Sequence, residues 1–252
     1  MKLNVFDTLR LNIKAFGLLK GLKLPILVYG KIKIHNVGNI VFKCPISRGL
    51  VVIGLNECDV PYSHSILNNT GTIEVHGKLY VNYGARISNE GLMVLGGNNI
   101  LGHGVSFDIK EKFEIGHDST VGFMSVVTDT NVHYILDVET RKVARRSKPI
   151  YLGNFNWIGS YTHIKKGTIT PDYTIVASPN ALIAKDYSSI EPYTILGGSP
   201  AKPLKAGLRR IYNFKSEHTI NEYFNANPAE TYFTIDDDAD LDDFCKLFNI
   251  PQ

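Results

Sequence analysis

The sequence predicts a mainly β chain wound as a parallel solenoid, and three observations carry that expectation. Leu152, Ile158, Ile164, Thr170, Val176 and Leu182 stand six residues apart without a break. Two positions before most of them sit small or polar residues: Asn156, Thr162, Thr168, Thr174 and Asn180, with Ile150 the exception. The pattern returns upstream in Ile115, Val121 and Val127, preceded at the same offset by Ser119 and Ser125. Still earlier the register is looser, through Val75, Val81, Ile87 and Met93, then Leu95, Leu101, Phe107 and Phe113. These blocks begin at residues 75, 95 and 115, so a turn there carries two residues more than three sixes.

Such a period has a simple physical cause. Three short strands joined by tight corners make a triangular coil with one aliphatic per side pointing inward. A small residue fits beside each corner, and Gly or Asn takes the unusual backbone angle there. Stacked coils share one apolar core and pair their backbones with the coils above and below. A β-sandwich is the competing architecture, but it would show longer alternating strands and no six-residue register.

The elements follow in order. Residues 1–30 read as a short basic amphipathic helix interrupted by Pro25, with Leu9, Leu11, Ile13, Phe16, Leu18 and Leu19 among Arg10, Lys14, Lys20 and Lys23. This segment either covers the open end of the solenoid or lies on anionic lipid as a peripheral membrane contact. Residues 31–203 hold the repeat, with an excursion at 134–149. Residues 204–252 form a C-terminal extension. There 204–225 looks helical, and acidic residues precede Leu241, Phe244, Leu247 and Phe248 at helical spacing.

Composition sets the bounds. The chain has 252 residues, 44% of them hydrophobic and 20% charged, with 22 glycines. A net charge of +3 is too small to argue for nucleic acid. No apolar run is long enough to span a bilayer, and no signal-peptide pattern opens the chain. Cys44, Cys58 and Cys245 are scattered and odd in number, so they read as free thiols in a reducing compartment, the cytoplasm by default.

Three stretches resemble a known family, the hexapeptide-repeat acyltransferases of the galactoside, maltose and capsular-polysaccharide O-acetyltransferase type. The first runs from Trp157-Ile158-Gly159 through the hexads to Lys185-Asp186 and Gly198-Ser199-Pro200-Ala201-Lys202. The second is TDTNVH, ending in His133 where the family places its catalytic histidine. The third is the polar excursion between His133 and Pro149. The resemblance covers roughly residues 75–205. It implies a left-handed parallel β-helix, acetyl-CoA as co-substrate with no metal, a sugar or polysaccharide acceptor, and a homotrimer with active sites between neighbouring β-helices.

His133 has support of its own. Counting on from Ile115, Val121 and Val127, the next inward slot falls on residue 133, and the chain then leaves the repeat. A long irregular loop inside a tight repeat points to function. A hydroxyl acceptor needs a base that is neutral near physiological pH, which imidazole supplies. Asp108 and Asp129 are candidates to orient the ring. Relatives hold the oxyanion with a backbone N–H or an Asn. The matching Val105-Ser106-Phe107-Asp108 has no Asn, so that donor is unassigned.

The resemblance sets Trp157, Ser160, Pro179, Ala184, Lys202 and Lys205 along the path of coenzyme A. The lysines suit its phosphates, though a solvated basic face would look the same. Trp157 reads equally as a cleft wall or as corner packing. Arg141, Arg145 and Arg146 belong to a run with five positive charges in eight residues, suited to an anionic acceptor. Two alternatives stay open: an N-acetyltransferase of a nucleotide-linked amino sugar, and a non-catalytic or metal-binding, carbonic-anhydrase-like β-helix using His103, His117 and His133.

Overall fold

A computed structural model describes residues 2–55 and 64–245 of the chain. Cys58, Leu247 and Phe248 lie outside them. The described part divides into two compact units, with the chain boundary between Gly207 and Leu208.

The first unit opens with helix α1 (Val5–Gly21), N-capped by the Asn4 side chain on the Asp7 N–H at 3.0 Å. Gly17, at φ +72°, breaks its helical geometry. The chain then winds into coils. The first holds β1 (Ile26–Val28), β2 (Ile32–Asn36) and β3 (Asn39–Phe42), the second β4 (Val51–Leu55), β5 (Ser65–Asn69) and β6 (Thr72–Val75). The third holds β7 (Leu79–Asn82), β8 (Arg86–Asn89) and β9 (Leu92–Leu95), the fourth β10 (Asn99–Leu101), β11 (Ser106–Ile109) and β12 (Lys112–Ile115). The fifth takes β13 (Thr120–Val121) and β14 (Val126–Thr128), detours through β15 (Leu136–Asp137) and β16 (Lys142–Val143), and closes on β17 (Ile150–Leu152). Next come β18 (Trp157–Ile158), β19 (His163–Lys165) and β20 (Ile169–Thr170), then β21 (Ile175–Val176) and β22 (Leu182–Ile183), then β23 (Ile195–Gly197) and β24 (Lys202–Lys205).

Corresponding strands of successive coils pair in parallel, giving three faces of nine, seven and six strands. The order on the first face is β1-β4-β7-β10-β13-β18-β21-β23, ended by the antiparallel β24. Inward residues stack in columns. Val81, Leu101, Val121, Ile158, Val176 and Leu196 form one, and Ile87, Phe107, Val127, Ile164 and Ile183 another. The third begins Val75, Leu95, Ile115 and Leu152, and all three columns are buried in one continuous core. This is the architecture that the six-residue period predicts. Val75 pairs with Leu95 and Leu95 with Ile115, which makes the longer turns coils of 20 residues.

The small polar residues of the repeat are buried beside the corners, where their side chains bond backbone that the ladders leave unpaired. The Ser119 hydroxyl donates to the Gly153 carbonyl at 3.1 Å and accepts from the Asn156 N–H at 2.9 Å. Ser125 does the same between Gly159 and Thr162, at 3.1 and 3.2 Å. Here buried polarity is satisfied rather than costly.

Several boundaries differ from the sequence expectation. The first strand lies at Ile26–Val28, inside the lead set at 1–30, because Pro25 and the αL residue Leu24 end the helical path early. At the other end the inward slot falls on Ile183, not Leu182, and Ala181 rather than Asn180 is buried before it. One extra residue at the Ser178–Asn180 corner moves the register, so Ile164 pairs with Ile183. The β structure runs past residue 203, since β24 folds back on β23.

The second unit is small. Its helix α2 (Phe214–Ala226) starts ten residues later than the helical texture from 204, capped by Asn213 on the Lys215 and Ser216 N–H groups. A short α3 (Leu241–Cys245) follows, tied back by an ion pair between Arg209 and Asp242 at 2.6 Å.

Candidate active site

The fifth coil carries the one long detour among the described coils. After β14 the chain reaches a corner at Asp129 and Thr130, leaves, and returns at Ser147 and Lys148. Thr130 bridges Ser147 in antiparallel fashion, the Asn131 N–H donates to the Arg146 carbonyl at 2.9 Å, and the Lys148 N–H donates to Asp129 at 2.9 Å. Further out β15 and β16 pair antiparallel, and the Asp137 carboxylate accepts the Glu139 and Thr140 N–H groups to close the turn. The excursion is therefore a β-hairpin arm rather than an irregular loop.

His133 stands on this arm, which corrects the inward slot that the repeat assigns to it. The slot on the third face is filled by Ile150, which pairs with Phe113 and is fully buried. The arm has been inserted between two hexads, so counting through it places a residue where the coil never passes. The His133 side chain is exposed. It lines a hollow of about 570 Å³ together with Asn131, Lys142, Arg145, Arg146 and Lys166. Among the described residues no hydrogen bond is made by its imidazole. Arg146 supports the arm, donating to the Val132 carbonyl at 3.3 Å and lying 5.5 Å from the Tyr134 ring centre.

Neither carboxylate expected beside the base touches it. Asp129 is fully buried in the corner, and its two oxygens accept the backbone N–H groups of Lys110, Glu111 and Lys112 at 2.8, 2.6 and 2.9 Å. Both oxygens are engaged by backbone, so its place is that of a corner clamp at the root of the arm. Burial pushes its carboxyl above the ordinary value, against the pull of those three donors. Asp108 lies on the outer surface of β11 and pairs with Lys110 at 3.6 Å. The Val105–Asp108 stretch turns Val105 and Phe107 into the core and leaves Ser106 and Asp108 outward.

The remaining expected residues fall into two groups. Ala184 lines a second hollow of about 650 Å³ with Arg145, Lys148, Lys166 and Lys185, on the same corner as the arm. Arg145 and Lys166 belong to both hollows, and Lys166 reaches the Arg145 carbonyl at 2.8 Å. Arg141 sits exposed at the hairpin turn. Trp157, with 38% of its surface exposed, projects from the first face instead, and Ser160 and Pro179 occupy the corner between the first and second faces. Lys202 and Lys205 are exposed on β24. Within one chain the second face, β14-β19-β22, lies between these two groups.

Lys166 and Lys185 are functional candidates that the hexad reading passed over. They follow inward residues at coil corners, a signal no different from any solvated lysine. Of the histidines weighed for a metal, His103 packs on Phe123 and His117 bonds Asp118 at 2.7 Å. Among the described residues no group of three His, Cys, Asp or Glu side chains is placed to share an ion.

No family model and no curated protein matches the sequence. Solved structures do match. The polySia-specific acetyltransferase NeuO superposes with a TM-score of 0.55 at 16% identity, over 80% of this chain and 94% of that one. The polysialic acid O-acetyltransferase OatWY matches at 0.39 and 20% identity, over 79% and 98%. The N-acyltransferase AntD from Bacillus cereus, in complex with dTDP and 3-hydroxybutyryl-CoA, matches at 0.42 and 12% identity, over 81% and 88%. The first likeness shows the fold: a left-handed parallel β-helix.

Proposed function

We propose that the chain is an acetyl-CoA-dependent O-acetyltransferase that modifies a sugar hydroxyl of an acidic polysaccharide or its precursor, with His133 as general base. The observation that carries this reading is the hollow at the root of the arm. An imidazole that makes no hydrogen bond among the described residues lines a cavity edged by four cations, Lys142, Arg145, Arg146 and Lys166, against one carboxylate, Asp137. A base that must take and return a proton needs a free nitrogen, and the surrounding cations favour an anionic acceptor. NeuO, which shares the fold, is a polySia-specific acetyltransferase, and polysialic acid is such an acceptor.

In the proposed reaction His133 removes the proton of the acceptor hydroxyl as its oxygen attacks the thioester carbonyl. The carbon–sulfur bond breaks, and the imidazolium returns the proton to the leaving thiolate. The products are the O-acetyl ester and free coenzyme A. Trp157, Ser160, Pro179 and Ala184 are proposed along the pantetheine path, and Lys202 and Lys205 at the phosphates, where their exposed ammonium groups match the charge. Since Trp157 and Ser160 lie on another face from His133, the reading requires two chains: the arm of one against the first face of the next. A closed ring of three would complete three such sites. The free thiols Cys44 and Cys245 support a reducing, cytoplasmic setting.

The test is transfer of labelled acetyl from acetyl-CoA to acidic and neutral glycans and to an amino sugar. His133→Ala should lower kcat by about 10²–10⁴, the range for a positioned acid–base group, without moving the melting temperature. Mixing His133→Ala with Trp157→Ala chains should restore part of the activity, because one interface in the mixed assembly keeps both residues. Near-full activity in His133→Ala would refute the assignment, and an inactive mixture would refute the shared site.

A further inference from the structure

Helix α1 has two different faces, and only one is accounted for by the solenoid. The inner face closes the open edge of β1. The Asn12 amide donates to the Ile26 carbonyl at 2.6 Å and accepts its N–H at 3.0 Å, and the Thr8 hydroxyl accepts the Val28 N–H at 3.0 Å. Two side chains thus replace the strand that β1 lacks, while Leu11 enters the core. This face fully explains the cap.

The outer face has no such task. Phe6 is 74% exposed and Leu19 86%, and Val5, Ile13, Leu18 and Leu22 are exposed with them. Gly17 breaks the helical geometry, and Leu18, Leu19 and Leu22, which follow it in the chain, are all exposed. Interleaved with these are the exposed cations Lys2, Arg10, Lys14, Lys20 and Lys23. Asp7 is the sole carboxylate in this stretch, and it is engaged by Arg10 at 3.6 Å.

We propose that this face docks on the surface of an anionic lipid bilayer. The mixture of side chains decides the occupant. A protein interface would hold an apolar centre depleted of lysine, whereas here the exposed Lys20 and Lys23 alternate along the chain with the exposed Leu18, Leu19 and Leu22. Lipid surfaces favour that mixture, since the leucines enter the acyl boundary while the lysines reach the phosphates. No described helix is long and apolar enough to cross a membrane, so α1 would lie in the interface plane. The inference is independent of the acetyl-transfer reading.

The experiment is co-sedimentation of the full chain with phosphatidylcholine vesicles, with and without phosphatidylglycerol. Binding is expected to the anionic vesicles and to fall with added salt. Lys20→Gln with Lys23→Gln should weaken partitioning about 25-fold, at about fivefold per cation. Leu18→Glu with Leu19→Glu should abolish it, with both variants melting at the parent temperature because all four side chains are exposed. Failure of the parent chain to sediment with anionic vesicles would overturn the proposal, as would equal binding to neutral ones. Lipid-free self-association that Leu19→Glu dissolves in the ultracentrifuge would assign the face to a second copy instead.

Discussion

Asp129 distinguishes a structural carboxylate from a catalytic one, and its removal has a calculable effect. In Asp129→Ala the Lys110, Glu111 and Lys112 N–H groups lose their acceptor together, in a corner where Asp129 itself is fully buried. A hydrogen bond to a charged group contributes about 1.5–3 kcal/mol. The three do not add, because water enters the vacated corner and serves some of the donors. We expect a loss of about 3–5 kcal/mol, which for a chain of this size lowers the melting temperature by on the order of 10 °C. Asp129→Asn keeps one acceptor oxygen but turns an amide donor towards an N–H, so its loss should be smaller, about 1–3 kcal/mol. Urea unfolding followed by circular dichroism measures both. A loss below about 1 kcal/mol in Asp129→Ala would refute the clamp. An inactive variant of unchanged stability would return Asp129 to the catalytic set.

The same carboxyl makes a pH prediction. Since burial raises it above 3.8, the folded chain binds that proton more tightly than the unfolded one, so this contribution is present below 3.8 and lost as pH rises through the raised value. The stability difference between the parent and Asp129→Ala should shift in that direction across this window, read from paired urea titrations. Gly122→Ala tests the closeness of the coils: a Cβ there would meet the Ile158–Ser160 backbone at 2.7 Å, so a loss of about 1–3 kcal/mol is expected in the same assay. Replacing residues 131–146 with a short Gly-Ser turn should leave the melting temperature within a few degrees, because the arm buries almost nothing in the core. The same change should remove acetyl transfer, and retained transfer would exclude His133.

How much of this was legible in the sequence depended on whether a residue's role was repeated. Val121, Ile158 and Val176 face inward for one reason in successive coils, so spacing alone reveals them. His133 occurs once. The sequence marked it as the point where the repeat breaks, but counting through the break misplaced it, because a hairpin inserted at a corner adds residues without adding a side. Leu182 was misassigned by a single extra corner residue. Asp129 looked like a partner for the histidine by proximity in the chain, yet its partners lie one coil earlier, at residues 110–112. Residues 1–30 read as either an end cap or a lipid contact, and Thr8 and Asn12 as substitutes for a missing strand carry no pattern a helix would reveal.

Two coils of equal length between cap and arm give the chain an adjustable length. Leu79 pairs with Asn99 and Ile100 with Thr120, so residues 79–98 and 99–118 are interchangeable modules of 20 residues. From β1 to β13 the ladder climbs four strand spacings, about 19 Å. Duplicating one module would lengthen that span by about 4.8 Å while leaving both ends chemically untouched. The solenoid then acts as a ruler graduated in whole turns, and the distance from the capped end to the arm becomes a property that gene duplication can tune step by step.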